Sequence, residues 1–318
     1  IPEPPTLFDK WTDNAPGARQ QELEIDRHMD LNYDLFVDLT PGFHQERSQK
    51  AQDRSAWRNM KRMTPNQINT WRSHYKPKDA AFKKGKLSGK DLVRWKFQRY
   101  AKNYLRCVKG VDESLHTLQE ELRKLGLDKN TIVIYSSDQG FYIGDHGWYD
   151  KRWMYEESLK MPLIVKWPGT IKAGSKQEEM VQNLDYAQTF LDLAGAPQPK
   201  DMQGRSIVPL LKGEKLDNWR KEIYYHYYEY PSVHMVPRHY GIRTNRYKLM
   251  HFYEFGDEWE MYDLKKDPDE VTNLYGKEEF LELQKSLKKR LKNLQKFYDD
   301  QSDTSVRPEY IEKYRKKS

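Results

Sequence analysis

Residues 131–140 read TIVIYSSDQG, a short apolar run followed by a polar loop. Residues 131–135, four of them β-branched, are typical of a strand that is buried on both faces of a parallel sheet. A second run of the same kind, PLIVKW at residues 162–167, follows and ends at a Pro-Gly pair. We therefore expect two neighbouring strands of one sheet, with a polar loop after the first of them.

The segments on either side of these strands extend the pattern. Apolar residues from Tyr104 to Leu125 recur at steps of three and four, which predicts an amphipathic helix that stops at Gly126. Beyond residue 214, four short strand-like segments and a terminal helix predict a small antiparallel sheet with a helix packed on it. The chain is therefore expected to be an α/β protein with a small antiparallel C-terminal domain.

This reading divides the chain into four segments. Residues 1–90 are expected to be an irregular, loop-rich segment that wraps the main domain, and residues 91–213 belong to the α/β domain. Residues 214–299 form the small antiparallel domain, and residues 300–318 are a charged tail. The single cysteine, Cys107, excludes an intrachain disulfide, and its place in the helix predicts packing in or beside the core.

The composition limits the classes of partner. Of the 318 residues, 37% are hydrophobic and 32% are charged, and the net charge is +7. No apolar run approaches the ~18 residues that a membrane span needs, so we expect none. A basic chain favours polyanions such as sulfated glycans. Its basic residues concentrate at 47–99 and 285–317 without a compact, aromatic-interleaved patch, so we expect no nucleic-acid partner.

The loop at residues 137–152 carries most of the candidate chemistry. It contains three acids, one histidine, two cations and three glycines directly after a strand, where α/β proteins bind their ligands. The carboxylate of Asp138 and the carbonyl of Gln139 are hard oxygen donors that suit Ca²⁺ or Mg²⁺. Alternatively, Asp138 bonds its own backbone in a turn. Two ligands cannot hold such an ion, so the others must come from elsewhere.

The motifs in this region resemble those of the sulfatases, the formylglycine-dependent members of the alkaline-phosphatase-like superfamily. Residues 132–140 resemble the strand that delivers an Asp and a following Asn, His or Gln to the active-site calcium. KRWMYEE at 151–157 resembles the Lys-x-x-x-Tyr-Glu segment, and EMYDL at 260–264 resembles the turn motif of the C-terminal domain. The resemblance covers residues 91 to 299 and implies the C-terminal part of a mixed sheet flanked by helices.

The resemblance also implies chemistry that this chain carries only in part. Sulfatases use a formylglycine made from Cys or Ser in the motif Cys/Ser-x-Pro-x-Arg, and this motif is absent from the sequence. We expect an upstream half to supply it, together with further calcium ligands, and the chain alone to be inactive. Lys151 would contact the substrate sulfate, and His146 would be a proton donor or a loop-ordering residue. A periplasmic or secreted location is implied, although no signal peptide is visible.

Substrate selection is expected to depend on residues beside Lys151. Asp150 and Arg152 flank it and can reach the sugar that carries the sulfate. His234 or His239 could approach the sugar ring from the C-terminal domain. YHYYEYP at 225–231 and HYGIRT at 239–244 resemble bacterial N-acetylglucosamine-6-sulfatases, which implies a 6-sulfated N-acetylglucosamine.

Several alternatives remain open at this stage. The histidines between residues 226 and 239 could bind zinc, and the tyrosines and histidines of this region could pack on a sheet. The carboxylates at 263–270 lack the spacing of a calcium loop and are expected to form a solvated turn. A metal-dependent phosphatase or phosphodiesterase of the same superfamily is the first alternative function. A non-catalytic glycan-binding module is the second.

Overall fold

The computed structural model describes residues 1–37, 62–230, 233–254 and 256–302. Residues 38–61 of the irregular segment and 303–318 of the expected tail lie outside the described residues. The helices are α1 Pro65–Gly85, α2 Gly89–Lys124, α3 Glu156–Leu159, α4 Asp185–Leu193, α5 Val208–Leu211 and α6 Leu281–Phe297. The strands are β1 Val133–Ser136, β2 Tyr142–Ile143, β3 Tyr149–Asp150, β4 Leu163–Lys166, β5 Glu222–Tyr227, β6 His239–Thr244, β7 Tyr247–Phe252 and β8 Glu258–Asp263.

The chain divides into two compact units, and their boundaries differ from the four segments expected. The first unit comprises Ile1–Lys10, Glu22–Glu113 and Tyr142–Asp150. The second comprises Trp11–Gln21, Ser114–Phe141 and the chain from residue 151 onward. Within the described ranges, no helix combines the length and the apolar character that crossing a bilayer requires.

Helix α1 lies inside the segment that we expected to be irregular, so that expectation was wrong here. The backbone N–H of Gln67 donates to Thr64 Oγ1 at 3.3 Å, and the N–H of Thr64 donates to Gln67 Oε1 at 2.8 Å. Pro65 occupies the first turn, where its missing N–H costs nothing. This reciprocal capping fixes the start of the helix, and Lys86 ends it in the left-handed conformation.

Helix α2 confirms the prediction of an amphipathic helix. The predicted stop at Gly126 is also confirmed, and Gly126 has a φ of +68°. The expectation for Cys107 was wrong, because its side chain is exposed. Its neighbours Leu105 and Val108 are also exposed, at 42% and 41%. The apolar face of this stretch of α2 therefore lies open in the described part of the chain.

The core of the first unit packs the start of α2 against the N-terminal segment. Phe97, which is 1% exposed, belongs to a buried cluster with Leu7, Ile25, Met29 and Leu35. Strands β2 and β3 form a short antiparallel hairpin in this unit, which the sequence analysis did not predict.

In the second unit, β1 and β4 pair as neighbours, but antiparallel, with Val133 opposite Lys166. The expected parallel strand buried on both faces is therefore not observed. Every residue of β1 is half-buried, and Ile164 on β4 is 63% exposed. The apolar side chains of these two strands are therefore only partly covered by the described residues.

The C-terminal sheet confirms the predicted antiparallel domain. Strands β5, β6, β7 and β8 pair in sequence order, each antiparallel to the next. Helix α6 packs on one face, where Leu287 and Leu291 meet Ile242 and Leu249 in a buried cluster. The α/β fold class, with antiparallel sheets and helices, is confirmed.

Candidate active site

The loop after β1 presents Asp138 at the surface. The hydroxyl of Ser137 donates to the carbonyl of Gln139 at 2.9 Å and to Asp138 Oδ1 at 3.3 Å. Asn183 Nδ2 donates to the carbonyl of Asp138 at 3.1 Å. These contacts fix the loop backbone while the Asp138 side chain remains exposed, so the carboxylate is available to a ligand.

Ser158 joins this loop to the segment that carries Lys151. The N–H of Gly140 donates to the carbonyl of Ser158 at 2.8 Å, and the N–H of Arg152 donates to its hydroxyl at 2.9 Å. A Cβ atom on Gly140 would lie 2.0 Å from the carbonyl oxygen of Glu157, so only glycine allows this approach. The sequence analysis missed Ser158, because nothing in the local sequence distinguishes it from a surface serine.

Lys151 points back towards the loop. Its Nζ atom lies 5.7 Å from the centroid of the Phe141 ring, and Phe141 follows Asp138 by three positions. Lys151 is half-buried. The candidate metal ligand and the candidate sulfate-binding lysine therefore lie on two segments of the same unit that Ser158 ties together.

The segment after Lys151 is anchored in the second unit by buried side chains. Trp153 and Tyr155 are completely buried. The hydroxyl of Tyr155 donates to Glu260 Oε2 at 2.6 Å and accepts Asn14 Nδ2 at 2.8 Å. Burial raises the pKa of Glu260 against the opposing effect of these hydrogen bonds. The anchoring limits the movement of Lys151, four residues before Tyr155.

A buried charge cluster adds a second anchor. Lys248 Nζ lies 3.0 Å from Glu156 Oε1 and 2.8 Å from Glu270 Oε1, and Arg243 lies 2.9 Å from Glu156 Oε2. Burial raises the pKa of Glu270 to about 7. Burial also opposes ionisation of Glu156, but Lys248 and Arg243 outweigh it and lower its pKa to about 2.

This cluster corrects the expectation that residues 263–270 form a solvated turn, but only at the two ends of that segment. Glu270 is 1% exposed and Asp263 is 3% exposed, although Asp267 between them is not buried. Glu270 is also bonded to the start of α3, where its Oε2 accepts the N–H of Glu156 at 2.8 Å. Asp263 and Glu270 are therefore ion-pair partners of Arg246 and Lys248, whereas Asp269 in the same turn is exposed.

His146 lies in the first unit and is 1% exposed. Its Nδ1 atom is 3.3 Å from Asp9 Oδ2, and its backbone N–H donates to Thr6 Oγ1 at 2.8 Å. The ring packs at 5.5 Å from the ring of Trp148. This environment favours the loop-ordering alternative over the proton donor, because a donor needs access to the leaving group.

Asp150 and Arg152 share an unusual backbone conformation. Their φ angles are +72° and +107°, values that cost free energy for residues other than glycine. Hydrogen bonds hold both: the N–H of Asp150 donates to the Tyr100 hydroxyl at 3.4 Å, and the Tyr225 hydroxyl donates to the carbonyl of Arg152 at 2.7 Å. Backbone strain of this kind is concentrated at ligand sites.

The two C-terminal histidines differ. His239 is completely buried, its Nδ1 atom lies 2.8 Å from the carbonyl of Pro237, and burial lowers its pKa to about 3. Its ring stacks on Trp153, so the expectation that it approaches a sugar was wrong. His234 is half-buried in a short 3₁₀ turn with a φ of +64°. It remains a candidate.

The fit of these residues to a metal ion is partial. Among the residues that the structure describes, no group of three or more His, Cys, Asp or Glu could hold a metal. This finding also leaves the zinc alternative without support in the described residues. Asp138 and Gln139 offer oxygen donors suited to Ca²⁺, which takes six to eight.

Comparison with known proteins connects this geometry to a family. The family model "Sulfatase" matches residues 13–196, and the model "N-sulphoglucosamine sulphohydrolase, C-terminal" matches residues 144–297. An N-acetylglucosamine-6-O-sulfatase of Bacteroides thetaiotaomicron is 46% identical over 302 residues, 94% of this chain and 53% of that protein. Human arylsulfatase K is 34% identical over 196 residues, 60% of this chain and 36% of that protein.

Solved structures agree with the sequence comparison. BT4656 in complex with its substrate D-glucosamine-2-N,6-O-disulfate superposes with a TM-score of 0.87 at 44% identity, over 96% of this chain and 61% of that one. A phosphonate monoester hydrolase of Agrobacterium radiobacter shares the fold, with a TM-score of 0.57 at 24% identity over 64% of this chain and 42% of that one. This chain spans about half the length of the first curated relative and less of the others. The resemblance inferred from residues 91–299 is thus confirmed, and the chain belongs to the sulfatase family.

Proposed function

We propose that this chain forms part of a sulfatase that hydrolyses a sulfate ester on a glucosamine-type sugar, with 6-O-sulfated N-acetylglucosamine as the substrate. The observation that carries the proposal is the link that Ser158 makes between the Asp138 loop and the Lys151 segment. The names of the Bacteroides thetaiotaomicron relative and of the BT4656 complex support the choice of sugar.

Each candidate residue has a role in this proposal. The Lys151 ammonium binds a sulfate oxygen and stabilises the negative charge that develops there during transfer. Asp150 and Arg152 bind sugar hydroxyls, and His234 approaches the ring. His146 orders the loop through Asp9 and Thr6.

The cofactors complete the proposal. Asp138 and Gln139 would provide two of the oxygen ligands of a Ca²⁺ ion, which when bound neutralises charge on the sulfate group. The nucleophile would be a formylglycine. Because the sequence contains no Cys/Ser-x-Pro-x-Arg motif, we propose that an upstream half carries it, and that the chain alone is inactive.

Exposed apolar side chains of the second unit support the proposal of an upstream half. Leu118, Leu125, Ile164 and Phe190 are 51%, 68%, 63% and 51% exposed. Full burial of a large apolar side chain contributes about 1.5–3 kcal/mol, so a partner that covers these residues would stabilise the enzyme. We propose that the upstream half packs on them. A periplasmic or secreted location is also part of the proposal.

Substitution of Asp150 by alanine tests the substrate assignment in the enzyme that joins this chain to its upstream half. A carboxylate that accepts sugar hydroxyls discriminates between sugars, because a sugar without those hydroxyls leaves buried polar groups unpaired. Each unpaired group costs about 1–3 kcal/mol. We expect kcat/KM on 6-sulfated N-acetylglucosamine to fall more than ~10-fold, while kcat/KM on a small aryl sulfate hardly changes. The control is Asp201→Ala, at an exposed loop position.

Three outcomes would contradict the proposal, the last of them with a phosphodiester as an added substrate. Equal losses on both substrates would assign Asp150 to the catalytic machinery or to loop stability. No loss on either substrate would remove it from the site. Turnover of a phosphodiester in preference to both sulfates would favour the phosphatase alternative.

A further inference from the structure

A groove of about 480 Å³ lies between α1 and α2 in the first unit. Helix α1 lines it with Tyr75, Lys78 and Phe82, and helix α2 lines it with Trp95, Lys102 and Arg106. From the sequence, the basic residues at 47–99 were not expected to form a compact patch interleaved with aromatic residues. The structure brings several of them to one concave surface together with aromatic rings.

Three of the groove cations face the solvent without a matching carboxylate in its lining. Arg99, which also lines the groove, is buried and forms an ion pair with Asp79 at 3.2 Å. Lys78, Lys102 and Arg106 are exposed, and no acidic side chain belongs to the described lining of the groove. The groove therefore has an excess of positive charge.

The hydrogen bonds of Arg106 use neutral partners. Its Nη1 atom donates to Asn103 Oδ1 at 3.2 Å and to the Tyr75 hydroxyl at 3.4 Å. These contacts orient the guanidinium group without neutralising it. Its charge remains available to an anion, for which the planar guanidinium group is well suited.

The cations are close enough to affect each other's ionisation. The pKa of Lys78 is lowered, first by desolvation and then by the charges of Arg106, Arg99 and Lys102. The pKa of the adjacent His74 is lowered by desolvation and by three of the same cations. Like charges held together raise the free energy of the empty groove, and a bound anion relieves that repulsion.

The aromatic rings provide a surface for an apolar ligand face. The rings of Phe82 and Trp95 stack at 3.8 Å between centroids, and both side chains are half-buried. Tyr75 does not add to this surface, because its side chain is buried and the Cζ atom of Arg99 lies 4.0 Å from its ring centroid. Flat aromatic surfaces of this kind can pack against the C–H face of a sugar ring.

We propose that this groove is an accessory binding site for a sulfated saccharide. Sulfate groups pair with Lys78, Lys102 and Arg106, and a sugar face packs on Phe82 and Trp95. The volume suits a mono- or disaccharide unit and is at the lower end of the range for ligand sites. The choice of a sulfated saccharide over other polyanions rests on the proposed function, whereas the anion site itself rests on the groove.

Isothermal titration calorimetry of the 318-residue chain tests the site without any need for turnover. The probe is a glucosamine-containing tetrasaccharide, used in its sulfated and desulfated forms. Lys102→Ala/Arg106→Ala is compared with the charge-matched control Lys84→Ala/Lys109→Ala, which removes exposed lysines from the same two helices outside the groove lining. Circular dichroism checks that the helices are intact.

We expect the groove variant to raise the Kd of the sulfated probe at least ~10-fold and to flatten its salt dependence, since two charge-assisted contacts are lost. The control should change the Kd less than ~2-fold. Should Arg106→Ala lower the helix signal, Lys78→Ala/Lys102→Ala replaces it and keeps the Arg106 hydrogen bonds.

Three results would overturn the proposal. Equal weakening by the groove variant and its control would show that binding depends only on net charge. Equal affinity for the desulfated tetrasaccharide would exclude sulfate recognition. Single-stranded DNA that binds more tightly, with the same dependence on the groove cations, would assign the groove to nucleic acid. Because none of these readouts is catalytic, loss of the proposed sulfatase activity would leave them unaffected.

Discussion

Substitution of Lys248 by methionine removes the centre of the buried charge cluster. The ammonium group is completely buried between Glu156 and Glu270, which are 5% and 1% exposed. Arg243 still pairs with Glu156 after the change, but Glu270 loses its cation. Removal of one partner of a buried ion pair costs about 3–5 kcal/mol, because it leaves an uncompensated buried charge.

This loss is large compared with the total stability of a folded domain, about 5–15 kcal/mol. We expect Lys248→Met to lower the free energy of unfolding by about 3–5 kcal/mol at pH 8, where Glu270 is ionised in the wild type. Urea denaturation followed by tryptophan fluorescence measures this quantity. Lys285→Met, at an exposed position on α6, should change it by less than about 0.5 kcal/mol.

The double variant Lys248→Met/Glu270→Gln separates the unpaired charge from other effects. A glutamine oxygen can still accept the N–H of Glu156 without carrying a charge, so the double variant should recover about half of the loss or more. A Lys248→Met variant within about 1 kcal/mol of wild type would show that the buried carboxylates do not need the Lys248 charge. So would a double variant that is less stable than the single one.

Three further predictions concern the anchors of the proposed site. Gly140→Ala should destabilise the second unit by at least about 2 kcal/mol in urea denaturation, because its Cβ would overlap the carbonyl oxygen of Glu157; an unchanged midpoint would contradict the close approach. Glu270→Gln should remove a decline in stability between about pH 5 and pH 8. The raised pKa of Glu270 makes the folded state hold a proton that the unfolded state has already released, so stability falls as the pH rises through about 7. Equal pH profiles for wild type and Glu270→Gln would contradict it. Tyr155→Phe should cost about 1–3 kcal/mol, because the buried carboxylate of Glu260 loses a donor; a loss below about 0.5 kcal/mol would show that the Ala15 N–H and the Tyr262 hydroxyl suffice.

Short sequence patterns predicted the features that depend only on residues close together in the chain. The stop of α2 at Gly126 follows from its periodic face and the need for a residue with positive φ. Helix α1 was missed although Thr64, Pro65 and Gln67 form a visible capping signal, because its polar sequence shows little apolar periodicity.

Other features depend on partners far away in the chain. An apolar, β-branched run such as β1 predicts a strand but does not specify the direction of its neighbour, so the antiparallel pairing with β4 was not foreseen. Burial of Lys248 and Glu270 depends on Glu156, which comes from the segment after Lys151. Asp138 could be proposed as a ligand from its place after a strand, whereas the bridging role of Ser158 required coordinates.

The proposed role of Lys151 is tested most directly by sulfate release from 6-sulfated N-acetylglucosamine, measured with this chain joined to the proposed upstream half. We expect Lys151→Met to lower kcat/KM at least ~100-fold on this sugar and on an aryl sulfate alike, because a charge-stabilising donor is lost. Lys172→Met, which removes the same charge at an exposed loop position, should leave kcat/KM unchanged. Activity of Lys151→Met within about 3-fold of the parent enzyme would contradict a sulfate-binding role of Lys151, because loss of a donor to the reacting sulfate should lower kcat/KM much further.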